Sequence, residues 1–290
     1  MPISFTRTQD GVSTQVYRVR RGNEVFYLRL AEEPDDDLFV DAELHRQLLR
    51  RGVSVPDIVY VERFDAALGR SAMITTEVAG APLSEAPTLE TASAVVRDAG
   101  ADLAVLNQID LEGFGWVKRD QVAWPLRAEL KTYREFVRSY LPHAWSGGLA
   151  ALFAPPELAQ IEAIASDEER RDLAQGRLAH SDFDVTAIFH EGDQYSGIID
   201  FGEIRGAKPT FDLGHFLLHD GETLPWRLFD SLVEGYRDAV ELPQDYRNQV
   251  RTSAVLLGLR QLCRWIGPER GAPVDHPSGT RPSAADLRPP

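Results

Sequence analysis

Two aspartates carry the chemistry this sequence can be read to perform. Asp182 stands in His180-Ser-Asp-Phe-Asp, just ahead of the apolar run Val185-Thr-Ala-Ile-Phe. Asp200 closes a second run, Tyr195-Ser-Gly-Ile-Ile. Glu191-Gly-Asp between the runs has turn chemistry, so the segment predicts a β-hairpin with both carboxylates at its open end. Two acids held at one end of a two-stranded ribbon suit metal-assisted chemistry. One can take a proton from a hydroxyl while the other holds a divalent cation.

The hairpin needs a scaffold, and the front of the chain supplies strands. Thr14-Gln-Val-Tyr-Arg-Val-Arg and Glu24-Val-Phe-Tyr-Leu-Arg-Leu alternate apolar and polar residues around the turn Arg21-Gly-Asn. Phe39, Leu44, Leu48 and Leu49 form a helical stripe that stops at Arg51-Gly-Val-Ser, before Pro56. Two more strands follow, Asp57-Ile-Val-Tyr-Val-Glu and Ser71-Ala-Met-Ile-Thr-Thr-Glu, and Ala79-Gly-Ala-Pro then reads as a connector. Beyond it the period is helical: Ala92, Val95, Val96, Ala99, Leu103 and Leu106 share one face. Further helices are predicted over Leu126 to Tyr140, Pro156 to Gln175, Trp226 to Ala239 and Gln244 to Ile266. Pro156 suits a first turn, where a missing amide costs nothing. The expected class is α+β: a small sheet-rich lobe over 1–78, a larger helical lobe over 79–270 carrying the hairpin, and a tail over 271–290. The tail is rich in Gly, Pro and Ser and has no apolar period.

Composition narrows the function classes. The chain has 290 residues, 45 acidic and 31 basic, a formal charge of -14 and 43% hydrophobic residues. That apolar content supports one large core or two moderate ones and excludes global disorder. Cys263 is the single cysteine, so no internal disulfide forms, which fits a reducing compartment. The start, Met1-Pro-Ile-Ser-Phe-Thr-Arg, lacks the basic flank and apolar run of a secretory signal. No apolar stretch approaches the roughly 20 residues that cross a bilayer. A soluble cytoplasmic protein without membrane or nucleic-acid partners is expected. The negative field repels phosphate backbones and attracts small cations, though it equally serves solubility alone. No compact His/Cys cluster suggests zinc; His215 and His219, four apart, share a helix face without forming a ligand set.

Taken together, His180-Ser-Asp182, Ile198-Ile-Asp200-Phe-Gly and Asp212-Leu-Gly-His resemble the motifs of the aminoglycoside phosphotransferase family. These are small-molecule kinases with the two-lobed protein-kinase-like fold, and the resemblance spans about residues 10 to 265. It implies ATP, or alternatively GTP, with Mg2+ as cofactors. It also implies a small hydroxyl-bearing acceptor, with a cationic aminoglycoside among the candidates, and a monomer or homodimer. By position Asp182 matches the catalytic aspartate that deprotonates the acceptor hydroxyl, and Asp200 the aspartate that binds magnesium. His180 and Asp212 match structural supports of the catalytic loop. Arg29 matches the phosphate-contacting cation and Glu43 its ion-pair partner; from spacing alone the two read equally as a surface pair. Gly11-Val-Ser-Thr resembles a phosphate-covering turn in which Ser13 and Thr14 would offer amides, or else a simple strand entry. Thr75 to Val78 matches the segment linking the lobes, so Thr76 and Val78 are expected beside the adenine.

Two departures from the family pattern stand out. Ala187 occupies the position, five after Asp182, where the family has a metal-binding Asn, and its side chain offers no oxygen. Asp184 is nearby but stands elsewhere in the loop. Ser181 replaces a common Gly, a mild change only if the backbone there avoids left-handed geometry. The family pattern thus leaves three readings open: a kinase holding its metal through Asp200, phosphate and water; a nucleotide-binding protein without transfer; or the same fold binding another ligand. Trp116, in Gly113-Phe-Gly-Trp, is either an acceptor contact or an aromatic plug, and Asp220 and Glu222 are candidates for the acceptor side.

Overall fold

The computed structural model describes residues 2–8, 15–32, 36–120, 124–141 and 145–266. Ser13, Thr14 and the expected tail over 271–290 lie outside the described residues. The front of the chain forms strands β1 (Ile3–Arg7), β2 (Gln15–Arg21) and β3 (Glu24–Leu30), helix α1 (Phe39–Arg50), then β4 (Ile58–Asp65) and β5 (Arg70–Thr76). The strands make one antiparallel sheet in the order β1-β2-β3-β5-β4. Gly22, at a φ of 62°, supplies the left-handed turn that registers Arg21 opposite Glu24. Along α1, Leu44 and Leu48 of the predicted stripe are buried while Phe39 and Leu49 are only partly so; Val40, Asp41 and His45 are buried as well.

The remainder is mostly helical, with short strands between. In chain order these are β6 (Ala81–Pro82), α2 (Leu89–Leu106), β7 (Asp110–Leu111), β8 (Phe114–Val117), β9 (Ala128–Leu130), α3 (Tyr133–Tyr140), α4 (Trp145–Leu149) and α5 (Pro155–Arg170). Then come β10 (Gly176–Ala179), β11 (Ile188–Glu191), β12 (Gln194–Ile198), β13 (Arg205–Ala207), α6 (Phe211–His219), α7 (Phe229–Ala239) and α8 (Tyr246–Ile266). Thr88 caps α2 by accepting from the Thr91 amide, and the helix buries the face its sequence period predicts. This sheet-rich front and helical remainder are the α+β class expected.

The helix expected over Leu126 to Tyr140 is instead strand β9 followed by α3. The break falls where Thr132 and Glu135 form a capping box: the Thr132 hydroxyl accepts from the Glu135 amide while Glu135 accepts from the Thr132 amide. The hairpin is β11–β12, and β11 starts three residues later than expected. Asp184 Oδ1 accepts from both the amide and the hydroxyl of Thr186, which keeps Val185 and Thr186 in a turn.

One apolar cluster joins the two parts. Val40, Leu44 and Leu48 of α1 meet Leu103 of α2, Ile188 and Ile198 of the hairpin, Phe201, and Leu232 of α7. Each of these leucines is fully buried, a contribution of about 2 kcal/mol apiece, so α1 is tied to the hairpin rather than merely near it. Helices α2 and α7 cross closely. A Cβ on Gly100 would sit 2.3 Å from the Leu232 carbonyl oxygen, and one on Gly235 would sit 1.6 Å from that of Arg97. Behind β13, Lys208 Nζ lies 2.9 Å from Glu168 Oε2, which also accepts from the Tyr133 hydroxyl at 2.6 Å. Among the described residues, no helix is long and apolar enough to cross a membrane.

Candidate active site

The loop from Ser181 to Ala187 leads into β11, and β12 runs out into Asp200. Pairing of Ile188 with Ile198, extended by the Ile199 amide donating to the Ala187 carbonyl at 2.9 Å, puts both loop ends side by side. Asp182 and Asp200 are therefore neighbours, close enough for each charge to act on the other. Asp182 is half exposed. Burial is the main force raising its carboxyl above the ordinary value, with the Asp200 and Asp184 charges adding to it and nearby histidines opposing. A carboxyl raised in this way is a better proton acceptor than a free one.

Asp212, at the N-terminal turn of α6, holds the start of this loop from beneath. It is fully buried and accepts from the amides of His180 (2.9 Å) and Ser181 (2.8 Å) and from Asn107 Nδ2 (2.8 Å). Three N–H donors and a helix N-terminus thus meet its carboxylate oxygens. His180 donates from Nε2 to the Ile199 carbonyl at 2.8 Å, so loop and strand are stapled just before Asp200. Phe201 is wedged edge-on between the rings of His180 (4.9 Å) and His45 of α1 (5.0 Å). Burial lowers His45 below the ordinary imidazole value, and its Nδ1–H donates to the Pro56 carbonyl.

The backbone here is strained. Ser181 has a φ of 73° and Asp200 a φ of 65°, both in the left-handed region that favours glycine. The condition under which Ser181 would be a mild replacement is not met. Its hydroxyl is buried without a hydrogen-bond partner, so the side chain adds a desolvation cost to the strain.

The expected partner of Arg29 is corrected. Glu43 faces outward on α1 and is taken by Arg50 at 2.8 Å, Arg46 at 3.9 Å and Gln47 at 2.9 Å. The carboxylate opposite Arg29 is Asp41, at 3.7 Å. Asp41 is fully buried and is also gripped by Arg119, from the loop after β8, which donates a further bond to the Gly202 carbonyl at 3.0 Å. Burial alone would raise the Asp41 carboxyl, but Arg119 and Arg29 more than reverse this and hold it below the ordinary value. Arg29 keeps a buried Nε without a partner, and its Nη2 lies near Gly202, as does Asp200: a Cβ on Gly202 would lie 3.7 Å from that nitrogen and 3.3 Å from Asp200 Oδ1. A cation and a carboxylate thus converge on a strip of backbone that has no side chain.

Thr76 ends β5 with its hydroxyl accepting from the Asp57 amide, and Val78 lies against Gly197 of β12, so both border the crossing between the two parts. Ala187 is buried beside Asp200, its amide donating to the Asp184 carbonyl. Trp116 is buried under the Arg205 guanidinium, 3.9 Å above its ring, as an aromatic plug would be. Asp220 is buried and caps the start of α7 by accepting from the amides of Leu228 and Phe229. Glu222 is exposed and bound to His219.

The sequence matches the phosphotransferase enzyme family over residues 4–248. The chain belongs to this family. Its fold matches those of solved phosphotransferases. A thermostable mutant of aminoglycoside phosphotransferase APH(4)-Ia, in ternary complex with ADP and hygromycin B, superposes with a TM-score of 0.64 at 16% identity, covering 91% of this chain and 86% of that one. An aminoglycoside-3'-phosphotransferase of type VIII gives 0.53 at 18% identity over 88% and 93%. The macrolide 2'-phosphotransferase MphH from Brachybacterium faecium gives 0.57 at 16% identity over 91% and 84%. A search of curated proteins finds no significant match. The protein-kinase-like fold read from the motifs is the fold of this chain.

Asp41 and Arg119 were not legible as site residues in the motifs. One signal existed for Asp41: with His45 it puts two polar residues at i and i+4 on the apolar face of α1. Arg119 has no local signal at all.

Proposed function

We propose that this chain transfers the terminal phosphoryl group of ATP to a hydroxyl of a small molecule. The observation that carries this is the meeting of Asp182 and Asp200 at one end of the β11–β12 hairpin, with Arg29 turned toward the same strip of backbone. Asp182, half exposed and with its carboxyl raised by burial, accepts the hydroxyl proton. Asp200 holds the divalent cation, Mg2+, which when bound neutralises charge developing on the phosphates. Arg29, its Nε unpartnered, donates to phosphate oxygens, and Asp41 with Arg119 fixes its direction. The fit with a cation and a nucleotide rests on these groups: an exposed carboxylate, a guanidinium whose Nε has no partner, and Gly202, where a Cβ would press on the Asp200 carboxylate. Thr76 and Val78 border the adenine, between a front lobe over 1–78 and a helical lobe over 79–270. Among the described residues no group of three or more His, Cys, Asp or Glu converges, so Asp200 would be the carboxylate that holds the cation.

Ala187 supports a second reading, a nucleotide-binding protein without transfer. Incubation with ATP and Mg2+ and a panel of hydroxyl compounds, including aminoglycosides and macrolides, decides between them. Acceptor-dependent ADP release is expected. Tight nucleotide binding with no transfer to any acceptor would leave the binding reading in place.

A further inference from the structure

Strand β13 lies between β10 and β8, which sets Arg205 opposite both Ala179 and Trp116. Ala179 leads straight into His180-Ser-Asp182, and Arg205 follows closely on Asp200, so this end of the sheet adjoins the candidate site. The Arg205 guanidinium lies 3.9 Å over the Trp116 ring and 5.9 Å from that of Tyr140, and its Nη2 donates to Glu203 at 2.7 Å. Arg260 of α8 takes up the Tyr140 ring at 4.4 Å, with Nη1 donating to the Tyr140 carbonyl at 3.1 Å. A second route leads from Asp182 to the same place. His215 Nε2 is 3.5 Å from Asp182 Oδ1, and the His219 ring is 4.7 Å from that of His215. Gln261, beside Arg260 in α8, reaches His219 Nε2 at 3.0 Å.

We propose that the acceptor carries an anionic group, a carboxylate or a phosphate, and that Arg260 holds it while Asp182 serves the hydroxyl. The inference rests on the phosphoryl-transfer reading above and names the class of its acceptor. Charge carries the argument. Two guanidiniums meet at Tyr140, and Glu203 is within ion-pair distance of Arg205, whereas Arg260 makes no ion pair among the described residues. Arg260 is partly buried, so water screens it less than it screens a surface cation. Its one hydrogen bond among the described residues goes to Tyr140, which leaves further N–H groups for a ligand. Carboxylate and phosphate are the acceptors that match the fork of a guanidinium.

The surroundings favour an anion. Burial lowers the Arg260 guanidinium from its ordinary value, and the Arg205 and Arg264 charges act the same way, against Tyr140 and Glu203. A bound anion relieves this local excess of positive charge, which persists in a chain whose formal charge is -14. A polycation meets the opposite situation. The carboxylates of this region are already engaged, Glu203 by Arg205, Glu222 by His219, and Asp220 by the amides that start α7. Arg260 would repel its ammonium groups. A hydroxy acid or a sugar phosphate therefore suits the patch better than a cationic aminoglycoside.

The test uses glucose, glucosamine, glucuronate and glucose 6-phosphate, which share a scaffold and differ in charge. Each is titrated calorimetrically into the full chain saturated with AMP-PNP and Mg2+. The nucleotide then occupies the phosphate-binding groups around Arg29, and no transfer is needed for the readout. Glucuronate, glucose 6-phosphate or both should bind about tenfold more tightly than glucose, and glucosamine more weakly. The better of the two anions tells carboxylate from phosphate. Arg260→Gln, which keeps a donor for the Tyr140 carbonyl, should abolish the preference, and Arg260→Met serves if that variant fails to fold. Equal binding of the four sugars, a preference for glucosamine, or no binding of either anion overturns the inference. So does an anion preference that survives the loss of Arg260. With ATP in place of AMP-PNP, the favoured anion should elicit ADP release. Absence of ADP release with every hydroxyl compound overturns the transfer reading, while an anion preference measured with AMP-PNP and lost with Arg260 still stands.

Discussion

Arg119 and Asp41 form a two-point ion pair between parts of the chain 78 residues apart, with Nε 3.0 Å from Oδ2 and Nη2 3.3 Å from Oδ1. Arg29, at 3.7 Å, is the weaker claimant on the same carboxylate. The arrangement leaves Arg29 partly free to serve phosphate, and it ties α1 to the Gly202 backbone beside Asp200. Arg119→Met should cost about 3 kcal/mol of stability, because it strips the main counter-charge from a buried carboxylate. It should also weaken ATP binding, because Asp41 would then draw Arg29 to itself. Urea unfolding and calorimetric titration read the two effects separately. The pH dependence has a definite sign. Asp41 is depressed in the folded state, so its contribution is complete above the ordinary value of 3.8 and is lost as pH falls through the lower folded value. Without Arg119 that loss should begin at higher pH in an acid unfolding series.

Asp182→Asn and Asp200→Asn should fail differently. The first keeps size and most hydrogen bonding but removes the proton acceptor, so nucleotide binding should survive while turnover falls by about 10²-fold or more. The second removes the anionic metal ligand, so Mg2+-dependent nucleotide binding should fall too. ATP affinity and turnover measured across a magnesium series check both. Equal turnover in Asp182→Asn and the parent would remove its proposed role.

Ala187→Asn introduces an oxygen beside Asp200, at a position whose backbone is already fixed by its bonds to Asp184 and Ile199. Half-saturating Mg2+ should drop in this variant, or turnover should rise. Because Ala187 is buried, the larger side chain must reach the open end of the hairpin to be accommodated. A melting temperature well below the parent's, with no gain in either quantity, would show that it does not.

Ser181→Gly should stabilise the chain. It removes left-handed strain at a φ of 73° and a hydroxyl buried without a partner. The gain, net of glycine's greater freedom in the unfolded chain, should be about 1 kcal/mol. Denaturant unfolding tests it. Ser181→Ala keeps the strain and loses only the hydroxyl, so the difference between the two variants isolates the backbone contribution.

What could be read in the sequence follows the range of the physics. The hairpin and its two acids were legible because turn chemistry and alternation act over a few residues. Helix α2 was legible because its stripe runs for several turns. The five-stranded sheet β7-β10-β13-β8-β9 was not, since strands of two to four residues carry no period to detect. Glu43 was expected opposite Arg29 on family position alone. Helix geometry argued otherwise: Asp41 shares a face with Leu44, His45 and Leu48, whereas Glu43 shares one with Gln47 and Arg50. Arg119 could be found only in three dimensions, as could the closeness of His215 to Asp182. The roles proposed for Asp182 and Asp200 come from motif resemblance, and no spacing rule yields them.

The close crossing of α2 and α7 has a consequence at a distance. Asp102 of α2 accepts from the Ser54 amide, next to the front sheet, and from the Tyr195 hydroxyl, on the hairpin strand that runs out to Asp200. One helix is thus the common datum for both halves of the proposed nucleotide site, and its height is set by two glycines that carry no chemistry. Gly235→Ala would lift α2 off α7 and tilt the hairpin relative to β3, spoiling the alignment of Asp200 with Arg29 while leaving both side chains intact. Such a variant would bind its ligands poorly with every contacting residue in place, and a survey confined to the cleft would never reveal the cause.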